Sequence, residues 1–199
     1  MMNKDKIKKS VANILEEIGE DINREGIKST PDRVARLYEN IFYGYKKKLV
    51  VMNEETRNKN KDKNIIPITV FKNKSKEMLI RSVKGISFCE HHIVPIEYEA
   101  FIGIIPDKLL LGMNKIDKIV KYFGARLQIQ EKMTAQIADW IMKNIKPLGI
   151  IVIIKGDHFC AKLQGDNGDF TTSAVRGIFF KEKEPRYEFL SLIKLKGGE

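Results

Sequence analysis

Apolar residues near the start of the chain recur at helical spacing. Ile7, Val11, Ile14, Leu15 and Ile18 fall on one face of a helix over about residues 6–20. Gly26 and Ser29-Thr30-Pro31 interrupt the pattern, with Thr30 suited to an N-cap and Pro31 to the first helical position. A second helix then carries Val34, Leu37, Tyr38 and Ile41 and ends near Gly44. From Lys46 to Asn64 the periodicity fades. Lys46-Lys47-Lys48 and Asn58-Lys59-Asn60-Lys61-Asp62-Lys63-Asn64 predict a mobile, solvated loop.

The texture turns to β from Ile65. Ile66–Phe71 and Met78–Val83 read as short strands. Glu97–Ile105 alternates Tyr98, Ala100, Ile102 and Ile104 against Glu99, Phe101 and Gly103, which predicts a strand. Helical spacing returns over Lys115–Phe123 and over Gln130–Asn144, the latter with Met133, Ile137, Trp140 and Ile141 as its core stripe. Ile150–Ile154 is an unbroken β-branched run, expected as a strand buried on both faces or at a subunit contact. Ile178-Phe179-Phe180 predicts a last strand and Tyr187–Ile193 a closing helix. Two helices, then strands, helices and strands, give an α+β class. We expect an N-terminal helical region and polar loop over residues 1–64 and a catalytic domain over residues 65–199.

Composition narrows the field. At 199 residues and 43% hydrophobic content the chain can bury a proper core, which excludes wholesale disorder. No apolar run approaches the roughly 20 residues needed to span a bilayer, and the start is amphipathic rather than a signal peptide's apolar block. No membrane role is expected. The net charge of +10, from 36 Lys+Arg against 26 Asp+Glu, suits an anionic partner such as a nucleotide. Much of that charge is lysine in loops, so solvated surface is favoured over a nucleic-acid footprint.

The candidate chemistry is concentrated in two places. The chain holds three histidines and two cysteines. All fall in Cys89-Glu90-His91-His92 or in His158-Phe159-Cys160, about seventy residues apart. Two cysteines in such clusters indicate metal binding in a reducing cytoplasm rather than a disulfide framework. Cys89 and His92 form a C-x-x-H grip, and His158 and Cys160, two apart on an expected strand end, would share a face. Five candidates exceed the three protein ligands of a catalytic zinc. One open zinc site plus one or two histidine acid/bases is the natural partition, although spacing does not say which three bind. A closed structural zinc site is the alternative.

Further stretches carry a resemblance. Cys89-Glu90-His91-His92-Ile93-Val94-Pro95, Leu111-Gly112-Met113-Asn114-Lys115, Arg126–Ile137 and His158-Phe159-Cys160 come in the order and at the spacing of GTP cyclohydrolase I. Ser29–Ala35 and Arg186–Leu190 also resemble that family, so the likeness spans roughly residues 7 to 194. It implies a tunnelling fold, an antiparallel sheet with helices on one side whose subunits close a shared β-barrel. It also implies a homodecamer of two pentamers with sites between subunits. The implied reaction hydrolyses GTP at guanine C8, releases formate and forms dihydroneopterin triphosphate, the first step toward folate-type pterins. By motif position Zn2+ would sit on Cys89, His92 and Cys160, His91 and His158 would transfer protons, and Gln130 and Glu131 would read the guanine.

The departures lie at the triphosphate. Where the family has Ser-Lys-x-x-Arg, this chain has Asn114-Lys115-Ile116-Asp117-Lys118, and where the family has Arg after the last zinc ligand it has Gln164. Neither Lys118 nor Gln164 reproduces arginine's bidentate fork, while Lys162, expected on the same strand face as Cys160 and Gln164, is a candidate substitute. Weaker GTP binding is therefore expected. Two alternatives follow: a diverged relative that opens the imidazole ring of another purine nucleotide or stops at the formyl stage, and, from another class, a basic structural zinc or nucleic-acid-binding protein.

Overall fold

The structure, a computed structural model, describes residues 2–196. These form two compact units, residues up to 46 and residues from 47 onward.

The first unit is an antiparallel helical pair, α1 (Lys4–Glu17) and α2 (Thr30–Ile41). Asn3 caps α1 by accepting a hydrogen bond from the Lys6 amide at 3.0 Å. In α2 the cap position falls one residue earlier than expected, at Ser29, with Pro31 in the first turn. Glu39 near the end of α2 receives Lys4 from the start of α1 at 2.8 Å and Lys46 at 2.9 Å. Those two ammonium groups, Lys4 first, hold its carboxyl at about 2.

The second unit contains a three-stranded and a five-stranded sheet. The expected loop over residues 46–64 is partly ordered. β1 (Lys48–Met52) pairs in parallel with β2 (Ile65–Lys72), and the short helix α3 (Glu54–Lys59) connects them. The lysine-rich flanks conceal Leu49-Val50-Val51-Met52, apolar enough to pay for pairing, and Leu49 and Val51 pack on the main core. This stretch therefore belongs to the second unit.

The larger sheet carries β3 (Leu79–Cys89) and β4 (Pro95–Ile105), β6 (Leu127–Gln128), β7 (Gly149–His158) and β8 (Phe170–Gly177), in the order β6-β3-β4-β7-β8. All neighbours are antiparallel except β3 with β6. β5 (Leu109–Leu111) pairs with β2. Helices α4 (Met113–Gly124) and α5 (Gln130–Ile145) lie against one face, where Ile102, Ile104, Ile150, Val152 and Ile154 meet Ile119, Ile137 and Ile141.

The alternate residues of β7, Ile151 and Ile153, face the other side and pack with Phe179 and Phe189. The β-branched run is thus buried on both faces, the first of its two expected settings. Phe179 belongs to α7 (Ile178–Lys181) and Phe189 to α8 (Glu184–Lys196). The expected strand over residues 178–180 is therefore a helical turn. Gly177 explains it: φ of +65° ends β8, and a Cβ there would lie 2.2 Å from the Leu148 carbonyl oxygen. The α+β expectation holds, and the layout fits a tunnelling-type subunit.

Candidate functional site

β3 and β4 form a hairpin whose connection, residues 90–94, carries the first cluster. The Cys89 amide donates to the Val94 carbonyl and the Ile93 amide to the Cys89 carbonyl, each at 2.9 Å. This tight closure forces Ile93 to φ of +58°, an uncommon conformation for a β-branched residue. The Glu90 amide donates to the Gln128 carbonyl at 3.1 Å, tying the loop to β6. The turn brings His92 Nδ1 to 3.7 Å from Cys89 Sγ.

The second cluster arrives by strand pairing. β7 runs antiparallel to β4 with His158 opposite Ile96, beside the hairpin loop. The chain then turns into α6 (Phe159–Lys162). Cys160 therefore sits on a helical turn rather than the expected strand end. The ligand atoms of Cys89, His92 and Cys160 lie within 4.8 Å of one another. Around a tetrahedral zinc, S and N ligands are separated by roughly 3.5–3.8 Å, so the trio suits such an ion after small side-chain adjustment. Burial, and next the neighbouring Cys89 thiol, push the Cys160 thiol above its ordinary value.

These residues line a cavity of about 380 Å³ together with His91, Gln130, Glu131, His158, Asp166, Asp169 and Phe170. His91 is exposed and lies edge-on to His92. His158 packs edge-on to Phe170 at 5.8 Å between centroids and contacts Gln130 Oε1 through Nε2 at 2.9 Å. Burial lowers its pKa from the ordinary value, against the opposing pull of the Glu131 and Asp157 carboxylates. Gln130, at the start of α5, is 3% exposed. Its Nε2 donates toward Ile154 O, Phe170 O and Thr172 Oγ1 at 3.0, 2.9 and 3.1 Å.

The expected phosphate residues are not brought to this cavity. Asn114, Lys115 and Lys118 lie on α4, and none lines it, nor does Gln164. Lys115 is 6% exposed, and among the described residues it has no carboxylate partner. Burial, and then the Lys118 and Arg57 charges, lower its pKa. Gln164 is exposed and donates back to the Cys160 carbonyl at 3.0 Å. Lys162 does not share a strand face with Cys160. It pairs with Asp157 and lies over the Phe159 ring.

Sequence reasoning missed Phe170, Asp166 and Asp169. Phe170 was hidden because β8 carries no apolar alternation. Asp166 and Asp169 stand in Gly165-Asp166-Asn167-Gly168-Asp169, a turn signal directly after the second cluster that could have placed them at its rim.

The sequence profile described as GTP cyclohydrolase I matches residues 7–194. Among curated proteins, the GTP cyclohydrolase 1 of Thermoanaerobacter pseudethanolicus is 39% identical over 200 residues, covering 98% of this chain and all of that one. The GTP cyclohydrolase 1 of Rickettsia prowazekii is 41% identical over 196 residues, covering 96% of each chain. Of solved structures, the apo archaeosine synthase QueF-Like overlays with a TM-score of 0.46 at 17% identity, covering 52% of this chain and 97% of that one.

Proposed function

The chain belongs to the GTP cyclohydrolase I family, and from that premise we propose that it hydrolyses GTP at guanine C8, releasing formate and forming 7,8-dihydroneopterin triphosphate. The observation that carries the reading is the convergence of Cys89, His92 and Cys160 in the lining of a cavity that also holds both remaining histidines. In this reading Cys89, His92 and Cys160 would hold zinc. Zinc would supply the Lewis acidity that activates water near neutral pH.

The chain's own residues do the rest. His158 and His91 shuttle protons between water, the opening imidazole ring and the leaving formyl group. The Glu131 carboxylate, in the first turn of α5, accepts from the N1–H and 2-amino edge of guanine. The cavity's walls, including Phe170, hold the base between the proton-transfer groups.

The triphosphate is assigned to Asn114, Lys115, Lys118 and Gln164. Their absence from the cavity lining of one chain supports sites completed by a neighbouring subunit, in a homo-oligomer proposed as a decamer of two pentamers. A buried lysine with no carboxylate partner among the described residues suits an anion delivered there from outside. Among the described residues no helix is long and apolar enough to cross a membrane, and a cytoplasmic location is proposed with the thiol ligands.

A second reading is favoured by one observation. Asp166 and Asp169 stand at the cavity rim, and Gln164 is engaged with its own chain. This arrangement suits a nucleotide with a shorter phosphate tail, so a diverged relative acting on another purine nucleotide is the alternative.

Incubating zinc-loaded protein with GTP, and in parallel with dGTP, GDP and GMP, separates the readings. Pterin fluorescence with formate from GTP supports the first. Turnover of GMP or GDP in preference to GTP supports the second, and formate without a pterin indicates arrest at ring opening.

A further inference from the structure

The amide of Gln130 is oriented by its surroundings. Its Nε2 faces two backbone carbonyls, Ile154 O on β7 and Phe170 O on β8, at 3.0 and 2.9 Å. A carbonyl can only accept, so the NH2 group must stand on that side, and the flipped amide would set oxygen against oxygen twice. The third contact, Thr172 Oγ1 at 3.1 Å, leaves both amide hydrogens engaged. Gln130 Oε1 is thereby directed to His158 Nε2 at 2.9 Å.

That oxygen can only accept as well. His158 Nε2 must therefore carry a hydrogen, and the neutral ring keeps Nδ1 bare. The chain makes room for this contact. A Cβ on Gly156 would lie 2.0 Å from Gln130 Oε1 and 3.3 Å from His158 Nε2. Thr134 reinforces it from within α5, its hydroxyl bonded at 2.7 Å to the Gln130 carbonyl and at 2.7 Å to Thr172 Oγ1.

We propose that Gln130 is a positioning residue that fixes His158 as the Nε2–H tautomer, which leaves Nδ1 as the ring's acceptor. This rests on the cyclohydrolase reading for its catalytic meaning, and it departs from the expectation that the Gln130 side chain reads guanine. With both hydrogens engaged by β7 and β8, that amide has no donor left for a purine. The arrangement parallels the way outer partners fix the tautomer and ring orientation of a working histidine.

The test has a spectroscopic and a kinetic arm. With three histidines in the chain, magic-angle-spinning 15N NMR of histidine-labelled protein resolves each ring. At about pH 8.5, above the ordinary histidine range, the zinc-loaded wild type should show His158 as a single Nε2–H tautomer. An Nδ1–H ring there overturns the proposal. Gln130→Met should give a mixture of tautomers, with kcat for GTP reduced about 10–100-fold and KM within about twofold. A raised KM with unchanged kcat would make Gln130 a base reader and overturn the proposal, as would an unchanged His158 tautomer. Gly156→Ala, which displaces the amide oxygen without touching its chemistry, should reproduce both effects. If wild type releases no formate from any purine nucleotide, the cyclohydrolase reading fails, while the wild-type spectrum still decides the tautomer.

Discussion

Cys89 Sγ and His92 Nδ1 stand 3.7 Å apart across a hairpin loop closed by two backbone hydrogen bonds. One end of a single β-hairpin thus supplies two donors already near the spacing a tetrahedral ion requires. The third donor, Cys160, comes from the turn after β7, and strand pairing with β4 delivers it. Replacing Cys160 by Ala should leave the fold intact, because that residue lies on a short surface turn rather than in either core cluster. Zinc content should fall from about one ion per chain to substoichiometric, and formate release should drop at least about a hundredfold. Metal analysis alongside a far-UV spectrum checks this.

Gln164→Arg should strengthen GTP binding. The wild-type amide only donates to the Cys160 carbonyl at 3.0 Å and offers no charge. A charge-assisted contact of about 1.5–3 kcal/mol corresponds to a gain of roughly ten- to a hundredfold in kcat/KM. Steady-state kinetics with GTP gives the answer, and an unchanged kcat/KM would remove position 164 from the phosphate site.

Lys115→Met should separate binding from stability. The lysine is buried, and among the described residues no carboxylate pairs with it, so its charge is a burden on the folded chain. Methionine keeps the methylene packing without that charge. The expected result is a higher KM for GTP together with a Tm equal to or above wild type, read by kinetics and calorimetry. A lower Tm would mean that Lys115 serves the fold rather than an anion.

Gly177→Ala should damage the fold without touching the cavity. A Cβ there would meet the Leu148 carbonyl oxygen at 2.2 Å, and the φ of +65° disfavours any side chain. The change should cost about 2 kcal/mol or more, because it loosens the turn that delivers Phe179 to the second core. Urea denaturation measures it. A change within about 0.5 kcal/mol would show that the turn relaxes freely.

Much of the site was legible because its chemistry is carried by rare residue types. With so few histidines and cysteines in the chain, grouping alone drew Cys89, His92, His158 and Cys160 together before any fold was known. The helices and the buried run over 150–154 were legible through periodicity. What escaped was governed by contacts distant in sequence. Leu49–Met52 becomes a strand only through its partner β2, and lysines on either side masked it. β8 is extended because it pairs with β7, although Thr171, Thr172 and Ser173 give no apolar alternation. Ile178–Phe180 is β-rich in composition, yet Gly177 turns the chain first. Gln130 was recognised as a site residue, but its amide is engaged by carbonyls from two other strands, which no local pattern reveals.

In the proposed reaction the cavity removes C8 of a guanine nucleotide as formate. Zinc-loaded protein incubated with GTP labelled with 13C at C8 and followed by 13C NMR tests this directly. The predicted result is transfer of the label into formate in step with the appearance of an unlabelled pterin triphosphate. Label retained in an intact purine, with zinc bound at Cys89, His92 and Cys160, would contradict it.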